Sequence, residues 1–165
     1  MTLTVTDDPP DRPEWIRETI RLVSETTLRS RAELLERVAR ATDAELTAGA
    51  DSDWGLGQIA VHLLLVERGV AAIALRLASG VTAGPTGQPR PAASSVTRDG
   101  IASLAVKAED AIQRLRATFP AAPDAAATAR HPFFGDLNAF GWLLTLPNHY
   151  HAHLEAVARG TKTAL

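Results

Sequence analysis

Four long segments with apolar residues at helical spacing constrain the fold of this chain more than any other feature. In each segment, apolar side chains recur three and four positions apart with polar residues between them, which is the pattern of an amphipathic α-helix. The predicted helices run from Glu14 to about Ala41, from Trp54 to about Ser79, from Arg98 to about Thr118, and from Asn138 to about Arg159. No segment shows the alternating pattern of a β-strand, so the sequence predicts an all-α fold.

The connections between the helices indicate which all-α architecture to expect. Residues 80–96 contain three glycines and three prolines, residues 120–137 contain three prolines, and neither stretch has an apolar period. Both stretches are longer than a tight turn between two helices requires. We therefore predict a four-helix bundle with long inter-helix connections, whose helices do not simply alternate up and down.

Residues that favour helix ends lie at the predicted helix boundaries. Asp53 is the predicted N-cap of the second helix, and Gly80 and Gly160 suit the positions that follow the second and fourth helices. Pro147 predicts a kink inside the fourth helix, because proline lacks an amide hydrogen and clashes with the preceding turn.

Length and local composition predict one domain with a short extension. Residues 1–12 are polar and proline-rich, so we expect a flexible N-terminal arm, and Pro13 suits the first turn of a helix. Residues 13–165 have the usual length of a single domain.

Composition excludes several functional classes. The chain has no cysteine, which rules out disulfides, thiolate nucleophiles and cysteine-based zinc sites. A formal net charge of -2 provides no basic face for nucleic acid. The N-terminus has no basic and apolar leader pattern, and the most apolar stretch, Ile59 to Leu77, is interrupted by charged residues and does not approach a membrane span. We predict a cytoplasmic protein with neither a nucleic-acid nor a membrane partner.

Histidines are the residues that indicate chemistry, and three of the five fall on the fourth predicted helix. His149 and His153 lie one turn apart and about 40° apart around the helix axis, so both rings can reach one ion. His151 lies about 200° round from His149 and points away.

A third ligand has to come from another helix, and His62 is the candidate. It lies on the apolar face of the second predicted helix, and bundle cores are where facing helices build metal sites. Three neutral imidazoles suit a divalent ion, with zinc or nickel as the first expectation and iron(II) as a further one. Because imidazole has an unperturbed pKa of about 6.5, metal binding should weaken as pH falls through roughly 6 to 5. The alternative is a hydrogen-bonded histidine network in the core without metal.

Other polar and aromatic residues receive structural interpretations. His131 is expected to cap or bridge backbone groups where the second long connection meets the fourth helix. Glu67 and Arg68 are expected at the surface, although Glu67 lies close enough to His62 in sequence to approach the site. Trp54 is expected to fill the core beneath the fourth helix. Aromatic residues of the fourth helix and of the preceding loop are also expected in the core, namely Phe133, Phe134, Phe140 and Trp142.

Three segments together resemble a known family. They are WGLGQIAVHLLLVE from Trp54, HPFFGDLNAFGWLL from His131, and HYHAHLEAV from His149. In order and spacing they resemble the DinB-like (damage-inducible, YfiT-like) family of metal-dependent four-helix bundles. The resemblance implies that His62, His149 and His153 bind the metal. Many relatives carry glutamine where this chain has Ala156, so the resemblance transfers no role for that amide.

The resemblance also implies two alternative functions. The first is a metal-dependent enzyme, either a transferase or isomerase that uses a low-molecular-weight thiol such as mycothiol or bacillithiol, or a hydrolase. The second is a non-catalytic, stress-associated protein that binds metal or a small ligand and acts as a homodimer. The sequence indicates no carboxylate or lysine as a general base, so it assigns no catalytic residue.

Overall fold

Five α-helices and a short β-hairpin make up the part of the chain that the structure, a computed structural model, describes, residues 11–84 and 86–160. The helices are α1 (Glu14–Arg40), α2 (Asp43–Thr47), α3 (Leu56–Ala78), α4 (Arg98–Thr118) and α5 (Ala139–Arg159). A single 3-10 turn covers Ala93–Ser95, and the hairpin consists of β1 (Ala129–His131) and β2 (Gly135–Leu137). The four long helices form the predicted four-helix bundle, and α2 is a single extra turn.

Two elements escaped the sequence prediction because they are short. Helix α2 lies in a stretch expected to be a connection, and a capping box between Thr42 and Glu45 holds its first turn. The strands β1 and β2 pair antiparallel over three residues each, too few for an alternating pattern to be recognised. Gly135 begins β2 with a φ of 77°, a backbone conformation that favours glycine.

The structure corrects one predicted helix start, that of α3, and supports the predicted start of α5. Helix α3 begins at Leu56 after Gly55, whose amide donates to the side chain of Gln58, so the predicted cap at Asp53 is wrong. Asn138 caps α5 by accepting from the amide of Gly141 at 3.0 Å. Helix α5 continues through Pro147 without interruption.

Arg12 belongs to the packed domain and not to a flexible arm. Its side chain is buried, and its guanidinium donates to the backbone carbonyls of Arg116 and Phe119 at the end of α4. Those carbonyls have no partner within their own helix, so a cation is favourable there. The rest of the predicted arm, residues 1–10, lies outside the described residues.

Two apolar clusters fill the bundle, one towards each end. The Trp142 cluster takes residues from the first halves of α1 and α5 and the second halves of α3 and α4, including Ile16, Ile20, Val70, Leu77, Leu115 and Trp142. The Tyr150 cluster takes the opposite halves, including Leu34, Val38, Ile59, Leu63, Ile101 and Tyr150. Helices α1 and α5 therefore run parallel to each other and antiparallel to α3 and α4.

This topology explains the long connection between α3 and α4. Because the two helices are parallel, the chain must return along the 23 residues of α3, roughly 34 Å, before α4 can begin. On the way, it is held by hydrogen bonds from His62 to the carbonyl of Pro89 and from Gln58 to that of Pro91. The connection thus lays its backbone along the face of α3 that carries His62.

Helix α3 is the most apolar helix of the described chain. By length and composition it is long and apolar enough to cross a membrane, which the sequence analysis did not anticipate. In the structure, 56% of its most apolar window is buried inside the bundle, as expected for a helix that packs against neighbours on several sides.

Candidate metal centre

The structure brings His62, His149 and His153 together between α3 and α5. One ring nitrogen from each residue lies within 4.8 Å of those of the other two. His151 points to the opposite side of α5, where its side chain is 72% exposed and lies 3.4 Å from Glu155. Helical spacing therefore predicted correctly which histidines converge, and their role as metal ligands stays a prediction.

Hydrogen bonds determine the protonation of His62. Its Nδ1 lies 2.7 Å from the carbonyl oxygen of Pro89, and because a carbonyl can only accept, Nδ1 carries the proton. The Nε2 atom of the neutral ring then carries a lone pair, and it accepts a hydrogen bond from Nε2 of His149 at 2.8 Å. Metal-binding histidines commonly donate their second ring nitrogen to a carbonyl in this way, which orients the ring and its lone pair.

His153 leaves a polar atom unsatisfied. The residue is 3% exposed, and its Nδ1 has no hydrogen-bond partner among the described residues. A buried polar atom without a partner costs about 1–3 kcal/mol. The cluster therefore has an incomplete set of hydrogen bonds.

The spacing of the cluster is compatible with a single ion. Two imidazole nitrogens on one tetrahedral zinc lie roughly 3.3 Å apart, given Zn–N distances of about 2.0–2.1 Å. The observed separations, 2.8 Å between His62 and His149 and at most 4.8 Å across the cluster, lie on either side of that value. Small rotations of the three side chains are enough to accommodate an ion.

All three rings are held neutral by their surroundings. Burial lowers the pKa of His149 to about 3, with further contributions from His153, His62 and His131. Burial and the neighbouring His62 lower the pKa of His153 to about 4. Burial also lowers the pKa of His62, against the opposing effect of its hydrogen bond to Pro89. Neutral imidazoles are the form that binds a metal ion.

His131 has a separate, structural role, as predicted. Its Nδ1 accepts from the amide of Phe133 at 3.1 Å, and its ring packs at 4.8 Å from both Phe134 and Trp142. Phe133 and Phe134 are 60% and 64% exposed, so their predicted place in the core is wrong. Trp142 is buried as predicted.

Trp54 closes the cluster on the side facing α2. Its ring centroid lies 4.9 Å from that of His62, and it packs against the Tyr150 cluster. This placement beside α3 differs in detail from the expected plug beneath α5. The contact helps to keep the His62 ring fully buried.

The predicted surface position of Glu67 is wrong. Its side chain is fully buried and accepts from Arg31 and from the hydroxyl of Tyr150, both at 2.6 Å. Arg31 also pairs with Glu109 on α4. Helical spacing places Arg31 on the buried face of α1 with Leu34 and Val38, which is the signal that the sequence analysis passed over.

A cavity of about 130 Å³ reaches the centre, and His149 forms part of its wall. Residues of α3, α5, the α3–α4 connection and the β-hairpin line it. The centre is thus accessible to a small molecule on one side and covered by packed side chains on the other.

Comparisons with known proteins agree with the fold. The model of the DinB superfamily matches residues 26–157, a range that contains all three clustered histidines. The chain is also similar to a protein of known structure, TT2238, described as a four-helix bundle protein. The two share 26% sequence identity over 85% of this chain and 98% of the other, with a TM-score of 0.63. A search of curated proteins gives no match.

Proposed function

We propose that this chain, which belongs to the DinB superfamily, binds one divalent metal ion through His62, His149 and His153 and is a metal-dependent enzyme. The observation that carries the proposal is the geometry of the three rings: their ligand nitrogens lie within 4.8 Å of one another, and each ring is held neutral. Neutral imidazoles favour zinc or nickel, with iron(II) as a further option.

The surrounding structure orients the three histidines, and the neighbouring cavity leaves space for a reactant. His62 is oriented by the carbonyl of Pro89, and His149 and His153 are oriented by their place on α5. A divalent ion held by such a set lowers the pKa of a water molecule or thiol that binds to it, producing a nucleophile at neutral pH. The cavity beside His149 then provides the space in which a second reactant is held.

Glu67, although buried near the site, is not available as a general base. Its carboxylate is fully buried, accepts from Arg31 and Tyr150, and is not among the residues that line the cavity beside His149, so it does not reach a molecule bound there. This favours reactions that depend mainly on activation of the bound nucleophile. They include transfer or isomerisation with a low-molecular-weight thiol such as mycothiol or bacillithiol, and hydrolysis.

Metal analysis of purified variants tests the ligand set. His62→Ala, His149→Ala and His153→Ala should each lower the metal content well below the one ion per chain expected for the unmodified protein. The matched control is His151→Ala, which removes an exposed histidine from the same helix and should leave the content unchanged. Equal loss in all four variants, or no loss in any, rules the ligand set out.

A second experiment distinguishes thiol chemistry from hydrolysis. When a thiol is added at millimolar concentration to the cobalt-substituted protein, a sulfur ligand brings a charge-transfer band that a water ligand does not. Appearance of the band supports a thiol-dependent transferase or isomerase. An unchanged spectrum favours hydrolysis or plain binding.

One observation favours the second candidate function, a non-catalytic metal or small-ligand binder acting as a homodimer. Among the described residues that line the cavity, none is a carboxylate or a lysine, so no obvious acid or base faces a bound molecule apart from histidine. Turnover of a thiol and an electrophile that rises in proportion to metal content supports the enzyme. Metal binding without any such turnover supports the binder.

A further inference from the structure

We propose that the cavity beside His149 binds the apolar, uncharged part of a small substrate, about the size of one benzene ring, and that Gly69 keeps the entrance of this cavity open. The substrate's polar head would then reach the histidine cluster, a role that rests on the proposed function. The apolar part of the site stands on its own observations and can be tested without metal.

Size is the first of these observations. The cavity has a volume of about 130 Å³. An engineered apolar cavity of about 150 Å³ in another protein holds one benzene molecule. A single ring or a short branched chain therefore fits, whereas a sugar-sized group has to remain outside the entrance.

The chemistry of the walls is the second observation. Apolar side chains of α3, among them Val66, Val70 and Ile73, line the space together with Trp142 of α5, and the polar groups in the wall are uncharged ones, from Thr86, Gln88, Thr145, His131 and His149. Among the described lining residues none is Asp, Glu, Lys or Arg. A charged group taken into such a space loses its hydration without gaining a partner, which costs several kcal/mol. The cavity therefore selects an uncharged body.

The position of His149 determines which end of a bound molecule lies beside the histidine cluster. This residue belongs to the cavity wall and also to the histidine cluster, where its Nε2 faces that of His62 at 2.8 Å. A molecule whose ring fills the cavity accordingly has one end beside the cluster. Three of the lining residues, Gly69, Gly87 and Pro132, are exposed, so the cavity meets the solvent beside them.

Close packing does not explain why residue 69, inside helix α3, is a glycine. Glycine inside a helix costs about 0.5–1 kcal/mol relative to alanine. At Gly57 of the same helix a Cβ atom would lie 2.2 Å from the carbonyl oxygen of Leu46, so only glycine fits there. At Gly69 a Cβ atom would meet nothing within 4 Å. Position 69 therefore has open space beside it, at an exposed part of the cavity lining.

The test uses the full-length, metal-free protein and fluorobenzene as the probe, followed by fluorine NMR. Gly69→Leu should weaken fluorobenzene binding by at least about tenfold, equivalent to about 1.4 kcal/mol. Ala72→Leu is the matched control, because Ala72 is an exposed residue on the same helix that does not line this cavity, and its affinity should remain within about twofold of the original. Leucine favours a helix more than glycine does, so Gly69→Leu should melt no earlier than the unmodified protein.

A second variant changes the cavity in the opposite direction. Ile73→Ala removes part of the wall and should allow naphthalene, a larger ring system, to bind where the unmodified protein excludes it. Absence of fluorobenzene binding to the unmodified protein overturns the proposal, as does equal affinity in Gly69→Leu or equal loss in Ala72→Leu.

Metal content, measured on the same preparations, separates this inference from the proposed function. Metal bound normally with no effect of Gly69→Leu on fluorobenzene rejects the cavity assignment and leaves the metal site intact. A protein that binds fluorobenzene in the expected way but never binds metal rejects the proposed function and keeps the apolar site.

Discussion

Two buried polar clusters lie next to each other in this bundle, and they differ in whether their hydrogen bonds are complete. In the Arg31–Glu67–Tyr150 network, the carboxylate accepts one hydrogen bond on each oxygen, both at 2.6 Å. In the histidine cluster, the Nδ1 of His153 has no partner among the described residues. Buried polarity is therefore not in itself a sign of function, because the polar groups of one cluster are paired with each other and those of the other are not.

The two clusters also respond to burial in opposite ways. The carboxylate of Glu67 has its pKa raised by burial, and the neighbouring Arg31 and the hydroxyl of Tyr150 oppose that rise. In the histidine cluster there is no such partner, and the rings lower their pKa values and remain neutral. The Arg31–Glu67–Tyr150 network joins α1, α3 and α5. The histidine cluster instead offers the lone pairs of its neutral ring nitrogens to a ligand.

The largest loss of stability is expected from disrupting the Arg31–Glu67–Tyr150 network. Glu67→Ala leaves the buried guanidinium of Arg31 with only its partly exposed partner Glu109, and removing one member of a buried ion pair costs about 3–5 kcal/mol. Denaturant unfolding measures the loss. As a control, Glu109→Ala removes the partner whose side chain is 37% exposed and should cost no more than about 1 kcal/mol. Equal costs for the two variants would show that Glu67 has no special role.

Binding of a metal ion to the histidine cluster is expected to have the next largest effect on the free energy of unfolding. An ion that binds the folded chain and not the unfolded one stabilises it by about 2.7 kcal/mol when its free concentration is 100 times the dissociation constant. Thermal melts with and without a chelator should show this difference, and circular dichroism should show that the metal-free protein remains helical. His149→Ala should abolish the metal-dependent increase, while His151→Ala should retain it. A metal-free chain without helical signal would mean that the ion is required for folding.

Protonating the incomplete cluster should have a smaller effect for each residue. The pKa of His149 is lowered to about 3 and that of His153 to about 4, so below pH 6.5 the unfolded chain binds protons that the folded chain does not. Stability should therefore fall as pH decreases from about 6.5 until it passes the lowered pKa values, about 4 for His153 and about 3 for His149, and the loss should already be about 1.4 kcal/mol per histidine at pH 5.5. His149→Gln should flatten the slope measured on metal-free protein, and His151→Gln should not.

The same lowered pKa values predict a different pH range for metal binding from the one expected for unperturbed histidines. With unperturbed histidines, binding should weaken between pH 6 and 5, but rings that remain neutral down to about pH 4 stay available to the ion. The stabilisation by metal should therefore persist at pH 5 and disappear near pH 4 to 3. Loss of the metal effect already at pH 6 would show that the rings are more hydrated than their burial indicates.

The smallest effect concerns buried hydroxyls that belong to neither cluster. Thr27 is fully buried on α1, and its Oγ1 has no partner among the described residues. Thr27→Val keeps the shape and removes the unsatisfied group, so it should be neutral or stabilise the protein by up to about 1 kcal/mol. The change in the free energy of unfolding is measured with a denaturant. A clear destabilisation would show that the hydroxyl of Thr27 does have a hydrogen-bond partner, such as a water molecule.

Several features could be predicted because they depend on neighbours in the sequence. Helix α4 has the predicted bounds, and the convergence of His149 and His153 with the divergence of His151 follows from the helical repeat alone. The exposed Phe133 and Phe134 were misplaced because large aromatic side chains are usually buried, whereas these two lie on the turn of a hairpin three residues wide on each side.

By itself, the sequence determined the helices, their apolar faces and the candidate ligands, because each depends on a repeat of three or four residues along one segment. Only the tertiary structure decided which buried polar groups find partners. The carbonyl of Pro89 reaches His62 because α3 and α4 are parallel and the chain must return along α3. Glu67 is buried because Arg31 and Tyr150 approach it from two other helices, at separations of 36 and 83 positions that no local pattern encodes.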